Sequence, residues 1–259
     1  QFGLQLLQTS HMEAFFRDKH LHHYLSLAEE SYAQRLESQH HWMKKLSTEH
    51  DNMLAAIFWA DKHSPEHFVR LTGAISWYWN IINFLIGTDY LESALSKDVK
   101  KSVATAAVLQ GFGMFQWWTG DLPRGIELLE ESLNLFHQFN NLVEEANVST
   151  ELSRLYHTAE KHEKGIECSK RSHDLAIKIG NPGLINSCLS FICMSHIFIK
   201  QYDKALPIAI EVIAASEKLE QPDILVRTHH FYSDCALGTG DFVEAEKKIR
   251  FDSRESYKI

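Results

Sequence analysis

Apolar residues recur at intervals of three and four along most of the chain, the spacing that places them on one face of an α-helix. After residue 120, for example, Ile126, Leu129 and Leu133 follow this spacing. Similar apolar stripes run through 17–36 and 41–60. The pattern predicts a chain built from amphipathic helices.

The phrase GDLPRGI at 120–126 returns three times at an interval of 40 residues. The later copies are EKHEKGI at 160–166, KQYDKAL at 200–206 and GDFVEAE at 240–246. Two further positions keep a small residue at the same interval: Gly113, Ser153, Cys193 and Ser233 in one series, and Gly125, Gly165, Ala205 and Ala245 in the other. The chain is therefore an internal repeat with a period of 40.

Two antiparallel helices approach closely only where the side chains at their crossing are small. One small position on each helix of a hairpin meets this requirement, and a single hairpin cannot bury its apolar face alone. We therefore expect an all-α array of stacked helix hairpins. Its tight turns should lie near 120, 160, 200 and 240, with looser turns near 140, 180 and 220.

The first helix of each repeat resembles the tetratricopeptide repeat (TPR), whose first helix has a large–xx–large–small–xx–aromatic pattern. The matching residues are Leu109, Phe112, Gly113 and Gln116, then Ser149, Leu152, Ser153 and Tyr156, then Leu189, Ile192, Cys193 and His196. The resemblance covers 68–259, with an irregular early copy at 86–95 and clear units starting near 104, 144, 184 and 224. It implies a right-handed superhelical α-solenoid.

The segment 1–67 lies outside the period and is similar to the helical linker of STAND-class signalling ATPases. Its matching residues are Arg17, His20, His23, Tyr24, Leu25, Trp42, Leu46, Glu49, Asp51, Asn52, Ala55, Ala56, Trp59 and Ala60. We expect two helices over 11–60, with Asn52 bonded to backbone near a helix start. Residues 1–10 resemble the tail of a winged helix. The resemblance implies a sensor region attached to ATPase and winged-helix domains of a longer signalling protein or transcriptional regulator.

Composition and charge exclude several classes of partner and location. The formal charge is −8 without a block of basic residues, which argues against nucleic acid or an anionic membrane as partner. The four cysteines form no CxxC pair and suit a reducing cytoplasm. The apolar stretch at 74–87 is too short to span a bilayer.

The sequence predicts no cofactor, metal or catalytic residue. It has no GxxxxGK[ST] phosphate loop and no nucleophile elbow. His20 and His23 have a spacing that could place two imidazoles on Zn²⁺, but no further ligand can be assigned. An enzyme is therefore the least favoured class.

In the family, positions that flank the small residue of each first helix line a concave ligand-facing surface. The residues mapped to this surface are Gln110, Met114, Trp117, Trp118, Asn147, Thr150, Arg154, His157, Ser187, Ser190, Met194, Phe198, Arg227, His230 and Asp234. Arginine can bind a carboxylate through two parallel bonds, and aromatic rings offer apolar contact. We expect a ligand near Arg154 and Arg227.

Two functions remain open at this point. The first is a non-catalytic recognition or sensing module that binds a protein or peptide, with a small-molecule effector as another kind of ligand. The second is a structural scaffold for assembly of identical chains, in which the groove holds no ligand. A scaffold should bury its apolar surface at a symmetric contact, whereas a sensor should leave its concave face open and polar.

Overall fold

A computed structural model describes residues 12–36, 38–97 and 100–241, apart from the side chain of Phe84. Within these ranges every regular element is an α-helix, as the apolar spacing predicts. The expectations for the winged-helix tail at 1–10 and for the repeat copy after 241 lie outside the described residues. No helix in the described part of the chain combines the length and apolarity needed to cross a membrane.

The chain divides into two compact units, which meet in the sequence between Thr119 and Gly120. The helices of the first unit are α1 (Glu13–Gln34), α2 (Gln39–Thr48), α3 (His50–His63), α4 (Pro65–Ile82), α5 (Phe84–Lys97) and α6 (Val103–Thr119). Those of the second are α7 (Leu122–Gln138), α8 (Leu142–Thr158), α9 (His162–Ile179), α10 (Pro182–Phe198), α11 (Tyr202–Lys218) and α12 (Pro222–Thr239). The domain boundary expected near residue 67 falls inside the first unit and stays a prediction about which residues belong to the repeat.

In the first unit, α4 is the central helix, because it contacts α1, α3, α5 and α6. Small residues bring α4 and α6 together: a Cβ placed on Gly111 would overlap the side chain of Ser76. Large side chains fill the space beside this crossing, and Phe68, Trp79 and Phe115 are fully buried. The N-terminal helices and the irregular early repeat therefore share one core.

The expectation of two helices over 11–60 is wrong, because the second helix is broken at Glu49 into α2 and α3. The Glu49 carboxylate accepts a hydrogen bond from Tyr24 Oη at 2.7 Å and another from Asn52 Nδ2 at 2.8 Å. Asn52 thus bonds a side chain rather than the backbone group that we expected. The break lets one carboxylate join α1 to the start of α3.

The second unit is a regular stack in which each helix contacts its neighbour in the sequence, from α7 to α12. The first helices of successive repeats also contact each other, α8 with α10 and α10 with α12. The small repeat positions lie in the core, as the close-packing argument requires: Gly165, Cys193 and Ala205 are buried. Three first helices therefore lie side by side and form one shared face.

Among the described residues, seven have a left-handed backbone, and they recur every 20 residues. They are Gly120 (φ 84°), Asn140 (54°), Glu160 (58°), Gly180 (76°), Lys200 (59°), Glu220 (54°) and Gly240 (87°). The turns predicted near 120, 160 and 200 are confirmed, and near 240 the described chain shows α12 ending at the left-handed Gly240. The turns near 140, 180 and 220 are not looser, because they contain the same left-handed residue and the same short connection.

The turn after α7 shows how three residues end one helix and start the next. The N–H of Asn140 bonds to the carbonyl of His137 at 3.1 Å, and the N–H of Asn141 to that of Phe136 at 2.9 Å. This pair of bonds is the Schellman motif, which satisfies the last carbonyls of a helix. The Asn141 side chain then accepts the N–H of Glu144 at 3.3 Å and caps α8.

Candidate recognition surface

The face shared by α8, α10 and α12 carries the polar residues that the sequence places near the two arginines. We call it the recognition face and define it by Asn147, Glu151 and Arg154 of α8, Ser187 and Ser190 of α10, and Arg227 of α12. These residues are partly or fully buried, and they lie on helices that contact each other in order.

Arg227 connects α12 to α10. Its Nη2 donates to Ser190 Oγ at 3.0 Å, and Ser190 in turn donates to the carbonyl of Ser187 at 2.6 Å. Its guanidinium also lies over the ring of Phe191, 4.8 Å from the centroid. The hydroxyl and the ring fix the orientation of a cation that is otherwise little solvated.

Arg154 is held on α8 by Glu151, one turn earlier on the same helix. Arg154 Nη2 and Glu151 Oε2 are 2.7 Å apart, and the two side chains are 22% and 25% exposed. Partial burial strengthens such a pair relative to one in open solvent. The spacing of three residues is the one that brings side chains together on a helix.

The two arginines and Glu151 influence one another across the face. Burial lowers the pKa of Arg227 to about 10; the Glu151 carboxylate acts against this decrease, whereas the Arg154 guanidinium adds to it. Arg227 therefore remains charged at neutral pH. The sequence prediction that Arg154 and Arg227 lie on one surface is consistent with this coupling between their charges.

Asn147 and Phe198 lie near the opposite ends of the predicted site. Asn147 Nδ2 donates to Glu144 Oε2 at 3.3 Å, one turn earlier on α8. Phe198, at the end of α10, is 40% exposed. His230 and Asp234 are exposed on α12, one and two turns beyond Arg227.

His157 lies in the core instead of on an accessible surface, because it is only 1% exposed. Its ring stacks on Phe198 with centroids 4.9 Å apart, and its Nε2 lies 2.9 Å from Ser195 Oγ. Its Nδ1 lies 3.2 Å from His162 Nδ1. Burial lowers the pKa of His157 to about 4, and the neighbouring His162 acts in the same direction. A neutral ring in this position suits packing rather than ligand contact.

Ser195, His157 and His162 form a hydroxyl–imidazole–imidazole chain with the order of a nucleophile, a base and an orienting group. Ser195 is 2% exposed, and its Oγ also lies 2.9 Å from the Phe191 carbonyl and 3.1 Å from Ser169 Oγ. A substrate cannot reach a hydroxyl buried in this way. These contacts satisfy the hydrogen-bonding groups of a buried polar cluster.

Gln110, Trp117 and Trp118 belong to the first unit, where they lie on α6. Gln110 Oε1 accepts from Tyr32 Oη at 3.0 Å, and Trp118 Nε1 donates to Asn80 Oδ1 at 2.9 Å. The two indoles are tilted neighbours with centroids 4.9 Å apart. These contacts connect α6 to α1 and α4.

Sequence reasoning missed Glu151 and the role of Ser190 as a bridge. The spacing of Glu151 and Arg154 is a readable signal, since an acid and a base three apart on a helix are neighbours. No comparable signal exists for Ser190, because its partner Arg227 lies on α12, 37 residues later in the sequence.

His20 and His23, the pair with a spacing that could suit Zn²⁺, both contact the ring of Tyr24. His20 packs on Tyr24 with ring centroids 4.5 Å apart, and burial lowers its pKa. Within the described ranges, no group of three or more His, Cys, Asp or Glu side chains could hold a metal ion. Cys188, Cys193 and Cys235 are buried thiols, and burial raises the pKa of Cys188 to about 11.

Comparison with known proteins identifies the fold. No protein-family profile and no curated protein sequence matches the chain. Among solved structures, it is similar to a Rap protein complexed with Competence and Sporulation Factor (TM-score 0.67, 12% identity, 89% of this chain and 66% of that one). It is also similar to a kinesin light chain of Podospora anserina with nearly identical TPR-like repeats (0.57, 14%, 76% and 98%).

A third similar structure is the signal transduction ATPase with numerous domains (STAND) from Pyrococcus horikoshii, which has a tetratricopeptide repeat sensor. The TM-score is 0.58 at 17% identity, and the match covers 92% of this chain but 36% of that protein. At these identities the likeness concerns the fold. The predicted all-α, TPR-like solenoid is confirmed.

Proposed function

We propose that this chain, which has the TPR-like solenoid fold, is a non-catalytic module that binds a protein or peptide on the recognition face. The observation that carries the proposal is the position of Arg227, oriented by Ser190 and Phe191 and coupled electrostatically to Arg154. Charged groups on a surface are usually well solvated, whereas here a guanidinium is partly buried on a face of three packed helices.

The chemistry of the face suits an acidic or carboxylate-bearing ligand. Guanidinium groups bind carboxylates with directional, charge-assisted hydrogen bonds. Asn147 and Ser187, which are partly exposed, offer neutral polar contacts on the same face, and exposed Phe198 offers apolar area at the end of α10. Extended peptides are commonly bound by such a division between polar anchors and apolar contacts.

We further propose that the chain is the sensor region of a larger STAND-type regulator in the cytoplasm. Two observations support this: the linker-like residues around Glu49 and Asn52, and the similarity to a STAND protein with a TPR sensor. In such a protein a ligand changes output only if it binds one arrangement of the domains better than another. ATPase and winged-helix domains of the same polypeptide are then its intramolecular partners.

The test compares the wild type with the Arg154→Ala, Arg227→Ala double variant. Partners are captured from an extract of the source cells, identified, and then titrated individually against both proteins. We expect the double variant to lose at least tenfold in affinity while its circular dichroism stays helical. Arg124→Ala is the matched control, because Arg124 also pairs with an acid three residues away, Glu127, but lies exposed on α7.

Unchanged affinity of the double variant would place binding elsewhere on the chain. The scaffold hypothesis would then be favoured. It predicts a homo-oligomer whose size depends on protein concentration, measured by light scattering coupled to size-exclusion chromatography. Loss of affinity in Arg124→Ala as well would show that the effect of the double variant is a general change in charge.

A further inference from the structure

Glu151 already presents a carboxylate to one of the two arginines of the recognition face. Its Oε2 lies 2.7 Å from Arg154 Nη2, and its charge also reaches Arg227, where it favours the protonated guanidinium. The geometry is that of a ligand carboxylate bound to Arg154, except that the carboxylate comes from the chain itself.

Arg227 differs from Arg154 in the groups that surround its guanidinium. Among the described residues its hydrogen bond is to the neutral hydroxyl of Ser190, whereas Arg154 bonds to the carboxylate of Glu151. Phe191 covers it without neutralising it. The nearby acid Asp223, on the same helix, favours the charged form less strongly than Glu151 does. The charge of Arg227 is therefore the one that an incoming anion can neutralise.

The three charges of the face, two guanidiniums and one carboxylate, sum to +1. The carboxylate of Asp223 is not part of the face, because it is exposed to solvent near the start of α12, where water and salt screen its charge. A ligand with a single carboxylate can pair with Arg227 while Arg154 and Glu151 stay together. A ligand with two adjacent carboxylates must either displace Glu151 or hold its second charge close to it, and like charges at short range in a partly buried site repel strongly.

We infer that Glu151 is an internal occupant of the recognition face that restricts it to ligands with one carboxylate at this position and discriminates against adjacent pairs. The inference rests on the proposed function, since it concerns the same face. Specificity of this kind comes from a repulsive element built against the wrong ligand rather than from an added contact to the right one.

The experiment uses acetate and malonate as probes of one and two carboxylates. Binding is followed through the arginine Nε–Hε resonances of ¹⁵N-labelled protein, with ionic strength held constant by sodium chloride. For the wild type we expect malonate to bind no more than about threefold tighter than acetate. For Glu151→Gln we expect malonate affinity to increase at least fivefold, and acetate affinity by less.

Two variants serve as controls. Glu151→Asp keeps the negative charge and should behave as the wild type. Glu127→Gln removes an acid from the exposed pair with Arg124 on α7, at the same spacing of three residues, and should leave both probes unaffected. An equal increase in malonate affinity in Glu127→Gln would show a general charge effect and overturn the inference.

Arg227→Ala separates the inference from the proposed function. Suppose that Arg227→Ala no longer binds either probe, while Glu151→Gln binds both as the wild type does. The face then binds anions but Glu151 does not select among them, and only the inference fails. If Arg227→Ala binds both probes as the wild type does, the arginine is not an anion anchor and both fail. Circular dichroism of each variant shows that the helices are retained.

Discussion

The imidazole of His157 on α8 occupies the space beside Gly165 on α9. A Cβ added to Gly165 would lie 2.6 Å from Nε2 of His157 and 2.7 Å from Cδ2. The small residue that recurs every 40 positions thus has a specific reason here. It makes room for a ring that is itself held by Ser195 and Phe198.

Gly165→Ala should destabilise the second unit by roughly 1–3 kcal/mol, because the ring cannot move without breaking its contacts. Urea denaturation followed by circular dichroism measures the change. In the Gly165→Ala, His157→Ala double variant the methyl group gains room, so its cost should be well below the sum of the single variants. Additive costs would show that the two residues do not compete for this space.

Acid should weaken the fold through His157. Its pKa is about 4 in the folded chain and about 6.5 when exposed, so the unfolded state binds more protons between these values. The contribution of the neutral ring is complete above pH 6.5 and is lost as the pH falls towards 4. We expect a decrease on the order of 2 kcal/mol over this window. His157→Gln should lack it when urea midpoints are compared from pH 7 to pH 4.

Ala205→Leu should disrupt the packing of α10, α11 and α12. Ala205 is fully buried in a cluster with Cys193, Ala209 and Cys235, and Cys193 Sγ lies 3.4 Å from its carbonyl oxygen. Added volume in a packed core costs roughly 1–3 kcal/mol. Ala214→Leu is the matched control, because Ala214 is exposed on the same helix. Equal thermal stability of both variants would contradict the assigned packing.

Cys193→Ala should be tolerated better than Ala205→Leu. It removes one sulfur atom from the core and forces no helix apart. Because the thiol is fully buried, alkylating reagents should label the folded protein slowly at this position. Mass spectrometry after brief labelling tests this, and rapid labelling of Cys193 would show that the cluster opens easily.

The left-handed turn residues allow a stability gain that depends on the backbone alone. Lys200 has a φ of 59°, which glycine adopts without a steric cost. Lys200→Gly should therefore stabilise the second unit by up to about 1 kcal/mol. Gly180→Ala should do the opposite by roughly 1–2 kcal/mol. A Cβ at Gly180 has no atom within 4 Å, so a loss there cannot be attributed to a clash.

The repeat was readable from the sequence because its causes are local. A left-handed residue and a capping side chain act within one turn, and the small positions recur at one interval. The same approach failed at Glu49, where the apolar stripe runs on through 41–60 but the helix breaks. The partners of that carboxylate include Tyr24, which is 25 residues away and invisible to a local pattern.

The candidate site was only partly readable for a related reason. A helical period places Arg154 and Arg227 on corresponding faces, but it does not say how deeply each side chain is buried. His157 fits the surface pattern and yet is buried, because Gly165 on α9 and Phe198 on α10 enclose it. Burial depends on the neighbouring helix, and period alone carries no information about it.

The left-handed residues also define how a chain of this kind can change its length. Helices α7 to α12 begin at 122, 142, 162, 182, 202 and 222, always two residues after a left-handed position. One residue added inside a helix would rotate every later side chain by about 100° and turn its buried face outward. A copied segment of 40 residues, from one turn to the equivalent turn, restores the phase. Gene duplication can therefore lengthen the array by whole hairpins, whereas shorter insertions are confined to the turns.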